Sequence, residues 1–203
     1  LLFGITLLLI GSTSALTWNS PENGNLDYLG PSGEDITLEV NGSDLGSSES
    51  LEIYYNVESE GWNSLGASDD GNGIWSASFD NTAETSNGET VEFKANTSSS
   101  TVDNSEITFQ AESDISGPSI TLEQPSGATN DEDQTIEVGA TDDVSGVENI
   151  SITVLDDNDD EVDSNTCDSS TCDLDNLGLD DGEYTVEASS YDTIGNENSE
   201  NSL

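Results

Sequence analysis

The chain carries few of the groups that perform covalent chemistry. Of its 203 residues, 44 are Asp or Glu and one, Lys94, is basic; histidine and methionine are absent. Without histidine there is no Ser-His-Asp or Cys-His arrangement, and the commonest general base is missing. Paired carboxylates hydrolyse glycosides in some enzymes. Here acids are so dense that any two fall near each other by chance, so no pair marks an active centre. The expectation is a protein that is not an enzyme and needs no catalytic cofactor. Asp156-Asp157-Asn158-Asp159-Asp160-Glu161 opens like a calcium loop, but its sixth position is Glu161 where a turn-forming glycine is required. That stretch reads as a solvated hairpin between two strands.

Cys167 and Cys172 flank four residues beside a turn. In an exported chain this spacing predicts a local disulfide. A zinc site would want further soft or imidazole ligands, and redox catalysis commonly uses a Cys-x-x-Cys spacing. Asn41, Asn96 and Asn149 each open a glycosylation sequon, at positions expected to be strand ends, although a chain this rich in Asn, Ser and Thr produces sequons by chance. Tyr54 alternates out of phase with Ile53 and Tyr55. With Trp62 it is a candidate for stacking on sugars; the competing reading is cross-strand packing that covers the sheet. Trp75 is expected in the core.

The elements that must position these residues are strands. Ile36, Leu38 and Val40 alternate with polar residues, as do Leu51, Ile53, Tyr55 and Val57, then Trp75, Ala77 and Phe79, then Val91, Phe93 and Ala95. This is the period of a half-buried strand. The same succession returns as Ile136, Val138, Ala140; Ile150, Ile152, Val154; Cys172, Leu174; and Tyr184, Val186, Ala188. No window keeps a helical period. The reading is two copies of one all-β domain, residues 16–115 and 116–203, each a β-sandwich of about seven short strands. Glu106-Ile107-Thr108-Phe109 supplies a last strand to the first copy. Residues 196–203 offer only polar side chains and a terminal leucine, so the second copy's final strand is expected to be incomplete.

Two stretches carry a family resemblance. Ala140-Thr141-Asp142-Asp143-Val144-Ser145-Gly146 and Asp181-Gly182-Glu183-Tyr184-Thr185 through Asp192-Thr193-Ile194-Gly195-Asn196 resemble the immunoglobulin-like repeats of bacterial and archaeal surface proteins. Such repeats often read ATDxxG on strand B and its loop, and GxYT followed by DxxGN on strand F. The likeness covers residues 118–198 and implies tandem immunoglobulin-like β-sandwiches. In such a sandwich the first strand starts at the same end as the B–C and F–G loops. The linker Glu112-Ser113-Asp114 is thus expected near Asp142, Asp143 and Asp192, with Asp80 and Glu84 of an E–F loop at the same joint. Calcium accepts about six to eight oxygens in flexible geometry, so Asp114, Asp142, Asp143 and Asp192 are candidate calcium ligands at a hinge. The arrangement resembles the calcium-bound joints of cadherin-like repeats, whose Asp-rich linker signatures are not reproduced. The competing reading, which the composition favours, is a uniformly acidic, solvated surface.

Charge and compartment complete the reading. A net charge of −43 cannot be paired internally and makes the compact state repel itself. In molar salt the Debye length falls to about 3 Å and that repulsion is largely screened. The composition resembles that of proteins from extremely halophilic archaea. Disorder is the usual companion of such charge, but the apolar residues, 31% of the chain, recur at strand spacing. An acid-rich biomineral protein would usually carry its acids in repeats. The sign of the charge argues against nucleic acid and anionic lipid. Residues 1–15 read as the apolar core and small-residue cleavage zone of a secretory signal lacking its start; an uncleaved anchor is the alternative. No second apolar run is long enough to span a membrane. The expectation is an exported, non-catalytic cell-surface protein in brine, serving as spacer, adhesion or envelope module with surface proteins or glycans as partners. The alternative is a carbohydrate-binding accessory module of a larger secreted enzyme.

Overall fold

The computed structural model describes residues 16–43, 45, 49–97, 106–125, 134–175 and 177–201. The signal expected over 1–15 and Ser98 of the second sequon lie outside them. Among the described residues the regular secondary structure is almost entirely strand. In order come β1 (Thr17–Ser20), β2 (Tyr28–Leu29), β3 (Asp35–Asn41), β4 (Leu51–Val57), β5 (Asn63–Ser64), β6 (Ser68–Asp69), β7 (Ile74–Asp80), β8 (Thr90–Thr97) and β9 (Glu106–Ser113). Then follow β10 (Ser119–Gln124), β11 (Ile136–Thr141), β12 (Val147–Leu155), β13 (Glu161–Cys167), β14 (Thr171–Leu174), β15 (Thr185–Asp192) and β16 (Glu197–Asn201). One short α-helix among the described residues, α1 (Asn81–Glu84), starts on Asp80, whose Oδ1 accepts the Ala83 N–H at 3.0 Å.

The strand orders are those of immunoglobulin-like sandwiches. One pair of sheets runs β1-β3-β7-β6 and β2-β9-β8-β4-β5; the other runs β10-β11-β14 and β13-β12-β15-β16. With β1 as strand A, the first pair reads A-B-E-D against A′-G-F-C-C′. The second reads A-B-E against C′-C-F-G, so β7 and β14 hold the same place in the two orders. Strand β2 runs parallel to β9, Tyr28 opposite Glu112 and Leu29 opposite Ser113; β1–β3, β4–β5, β6–β7, β10–β11, β11–β14, β12–β13, β12–β15 and β15–β16 pair antiparallel.

The described residues form two compact units. One comprises the described parts of Leu1–Leu26, Thr37–Phe79 and Glu92–Gln110; the other comprises those of Asp27–Ile36, Asp80–Val91 and Ala111–Leu203. In the first, side chains from facing sheets meet as edge-on aromatic rings. Tyr55 and Phe79 lie 5.0 Å apart between centroids, Phe79 and Phe93 5.1 Å, and Trp18 and Phe109 4.9 Å. Leu38, Val40, Leu51, Ile53 and Ala95 fill the rest of that interior. Edge-to-face geometry suits the ring quadrupole, and it lets few large residues close a core otherwise made of small ones. Trp75 is half-buried, not core as its alternation suggested; within β7 only Phe79 is fully buried.

In the second unit Ile120, Ile136, Val138, Ala140, Cys172 and Leu174 pack against Ile150, Ile152, Val154, Val186 and Ala188. Tyr184, read as the first inward residue of its strand, precedes β15 and only flanks this cluster. The expected gap in the last strand is filled: Glu197–Asn201 pairs with β15 from Tyr191–Glu197 to Glu187–Asn201. Backbone hydrogen bonds suffice for an edge strand that has no apolar side chain to bury. The hairpin expected at Asp156 is present. Asp156 Oδ1 accepts the N–H groups of Asn158 at 2.8 Å and Asp160 at 3.0 Å, so the loop's first acid caps its own backbone.

Candidate metal centre

Three segments of the second unit bring acids to one point, and local backbone chemistry explains how each is held. Asp192 ends β15, and the chain turns back through Gly195, whose φ of 97° suits only glycine. Asp192 Oδ1 sits in the mouth of that turn and accepts the N–H groups of Ile194 at 2.9 Å, Gly195 at 2.7 Å and Asn196 at 2.9 Å. Its Oδ2 accepts the Asn196 amide at 2.7 Å. Asp142 repeats the device after β11: its Oδ1 accepts Val144 N–H at 3.0 Å and Gly146 N–H at 2.8 Å. The two loops are tied together, since Thr193 donates from N to Gly146 O at 3.0 Å and from Oγ1 to Ser145 O at 3.0 Å.

Asp114, just after β9, is fixed by its backbone N–H to Leu29 O at 2.8 Å. Its Oδ2 accepts the Ser145 N–H at 3.1 Å. Asn196 spans the same place, donating to Asp114 O at 3.1 Å and accepting Ser32 N–H at 2.7 Å. The approach is close. A β-carbon on Gly30 would come within 2.4 Å of both Asp114 O and Ile194 Cδ1, so only glycine fits there.

One carboxylate oxygen from each of Asp114, Asp142 and Asp192 lies within 4.8 Å of one from each of the others. Asp114 and Asp192 are wholly buried and Asp142 is half-buried. Two neighbouring oxygens, Asp114 Oδ1 and Ser145 Oγ, are buried with no hydrogen-bond partner. Burial pushes the Asp114 carboxyl above the usual carboxylate range; the nearby Ser145 hydroxyl and N–H oppose this, while the charges of Asp142 and Asp192 add to it. Unit charges at this separation repel by about 3 kcal/mol per pair at an effective dielectric near 20. The N–H groups offset part of that. A proton on Asp114 or a bound cation would remove more.

Asp143, the fourth expected ligand, is exposed and outside the group, because Asp142 turns inward to cap the loop and its neighbour faces water. Asp80 and Glu84 are exposed as well; Asp80 caps α1 instead. The sequence pointed to Asp114, Asp142 and Asp192, but Ser145 and Asn196 passed as turn residues. The DxxGN spacing was the available sign for Asn196.

The other candidates lie elsewhere. Asn41 is exposed at the end of β3, its Oδ1 accepting Ser43 N–H at 3.0 Å. Asn96 is half-buried in β8, and Asn149 is half-buried inside β12, not at a strand end. Cys167 and Cys172 form a disulfide. Tyr54 and Trp62 share a face with Lys94, whose Nζ lies 4.0 Å from the Trp62 ring centroid and 5.4 Å from that of Tyr54. The same Nζ is 3.9 Å from Glu106 Oε2, and the Tyr54 hydroxyl bonds to Glu52. Trp62 remains 39% exposed. The chain's one basic residue thus already occupies the aromatic pair, a contact the sequence reading did not anticipate.

No family model and no curated protein matches the sequence. Among solved structures, the chain is similar to the chicken CNTN1 FN1–FN3 domains, at 13% identity and TM-score 0.35 over 89% of this chain and 69% of that one. A two-domain fibronectin type III segment of chicken tenascin is similar at 12% identity and TM-score 0.36, covering 93% and 97%. A multidomain segment of titin is similar at 10% identity and TM-score 0.48, covering 94% and 66%.

Proposed function

We propose that this chain is an exported, non-catalytic module of a cell surface bathed in strong salt, acting as spacer, adhesion or envelope element. The observation that carries the reading is the pairing of a sandwich fold with a net charge of −43. Such a surface stays dispersed and hydrated where counter-ions are abundant, and it repels phosphate backbones and anionic headgroups. Its partners would be other surface proteins or glycans. The disulfide supports an oxidising compartment, and no helix among the described residues is long and apolar enough to cross a membrane. Residues 16–115 and 116–203 are taken as two tandem modules, and Asn41, Asn96 and Asn149 as glycan acceptors. The missing histidine, and acids that serve as backbone caps at the turns around Asp142, Asp156 and Asp192, support the non-catalytic reading.

A second reading, a carbohydrate-binding accessory module, draws on one observation, the exposed Trp62 ring beside Tyr54. Lys94 over both rings works against it, since a stacking sugar would have to displace the ammonium. Pull-down on insoluble polysaccharides in about 3 M KCl, where charge is screened, separates the two. The surface-module reading expects no retention that depends on Trp62. Retention abolished by Trp62→Ala would replace it with the carbohydrate-binding one.

A further inference from the structure

We infer that Asp114, Asp142 and Asp192 form a binding site for one divalent cation, calcium by chemistry, within the second compact unit. This goes beyond the surface role and does not depend on it. The acidic cluster alone would not carry the inference, because the whole chain is acidic. What sets this cluster apart is the wholly buried Asp114 with an oxygen that no donor satisfies. Buried polar atoms are nearly always paired, so an orphaned carboxylate oxygen calls for a partner. The N–H donors around the site are already committed, and the Ser145 hydroxyl, the donor left over, makes no hydrogen bond to Asp114 Oδ1. Ser145 N–H goes to Asp114 Oδ2, the Asn196 amide to Asp192 Oδ2 and Asp114 O, and the turn N–H groups to Asp142 and Asp192. A cation is the partner that satisfies Asp114 Oδ1 and lowers the mutual repulsion of three carboxylates together.

The donor set selects among cations. All candidate ligands are oxygens, which excludes a soft metal and suits a hard one. Ser145 Oγ, also without a partner, stands beside Asp114 as a further oxygen. Half-buried Asp142 leaves an approach through which water can complete the shell. Calcium tolerates such irregular, partly hydrated shells of about six to eight oxygens, whereas magnesium demands near-ideal octahedral geometry and sheds its water reluctantly. Sodium or potassium, with half the charge, offsets the repulsion less. Because the three acids come from three separate segments of the chain, a bound ion would cross-link those segments and stabilise them by mass action.

The test is isothermal titration of calcium chloride into the chelator-stripped full chain in about 2 M KCl, where surface charge is screened and weak adventitious binding is suppressed. Wild type is expected to take up one calcium per chain, more tightly than magnesium. Asp114→Asn should weaken binding at least tenfold, while Asp143→Asn, which removes an equal charge next door, should change it less than twofold. Circular dichroism checks that each variant is folded. If Asp114→Asn does not fold, Asp142→Asn takes its place with the same expected loss. No uptake at about 10 mM calcium would overturn the inference. So would equal weakening by Asp143→Asn, which marks diffuse attraction to an acidic surface. Either failure leaves the surface role standing, since the titration is made in salt where that role requires the protein to be folded.

Discussion

At the scale of single residues, carboxylates here are structural before they are anything else. Asp80 caps a helix, Asp156 a hairpin, and Asp142 and Asp192 two loops, each by accepting backbone N–H groups. Asp114 departs from this pattern, with one oxygen buried and unmet. Lys94 is the opposite exception, a lone cation placed over Trp62 and Tyr54 and near Glu106. Its ion pair adds little, because the Glu106 side chain is 56% exposed and such pairs are screened. The ring contact contributes about 0.5–1 kcal/mol at a site of this exposure. Lys94→Gln should therefore lower the thermal midpoint in brine by a few degrees at most, in line with roughly 4–8 °C per kcal/mol for a small domain, and shift the Trp62 emission. Unchanged emission would mean that the ammonium does not rest on the ring. The position was legible in part: Lys94 lies out of phase with Val91, Phe93 and Ala95, so it had to face outward. That β4 would lay Tyr54 on the same face could not be read without knowing the pairing.

At the scale of elements, the sequence disclosed strands that bury a face and was silent about strands that do not. Every inward residue expected for β11 and β12 is buried, as are those of β8. Alternation writes such strands into the sequence because a one-residue slip would turn their apolar side chains to water. Strands β2, β5 and β6 are two residues each, too short to show a period, and β16 is polar throughout. These edges are held by backbone pairing, which leaves no compositional trace. Strand β13 is similar, exposed along nearly its whole length, and the Cys167–Cys172 bond ties its end to β14, a strand of the facing sheet. For so small a ring the chain-entropy contribution is about 2 kcal/mol. Replacing both cysteines by serine should cost that much in thermal unfolding, with β13 gaining the most hydrogen exchange. A double variant as stable as wild type, with β13 protected as before, would show that the sheet holds this edge without the bond. The carboxylate group was half legible for a related reason. Loop motifs gave Asp142 and Asp192, while the inward turn of Asp142 rather than Asp143 depends on the cap that the folded loop makes.

At the scale of the whole molecule, two thin sandwich cores must hold against a net charge of −43. Each buried aliphatic side chain contributes roughly 1.5–3 kcal/mol, and domains end up stable by only about 5–15 kcal/mol. Self-repulsion among so many like charges, with a single lysine to oppose it, is large on that scale unless salt screens it. The most direct test is the strand signal in circular dichroism, followed with a calcium chelator present, as KCl is lowered from about 3 M to about 0.05 M, a range over which the Debye length grows severalfold. Cooperative loss of the sandwich signal at low salt, reversed on restoring it, is the expected result. A signal that persists unchanged in dilute buffer would contradict the account of this chain as a surface module built for brine.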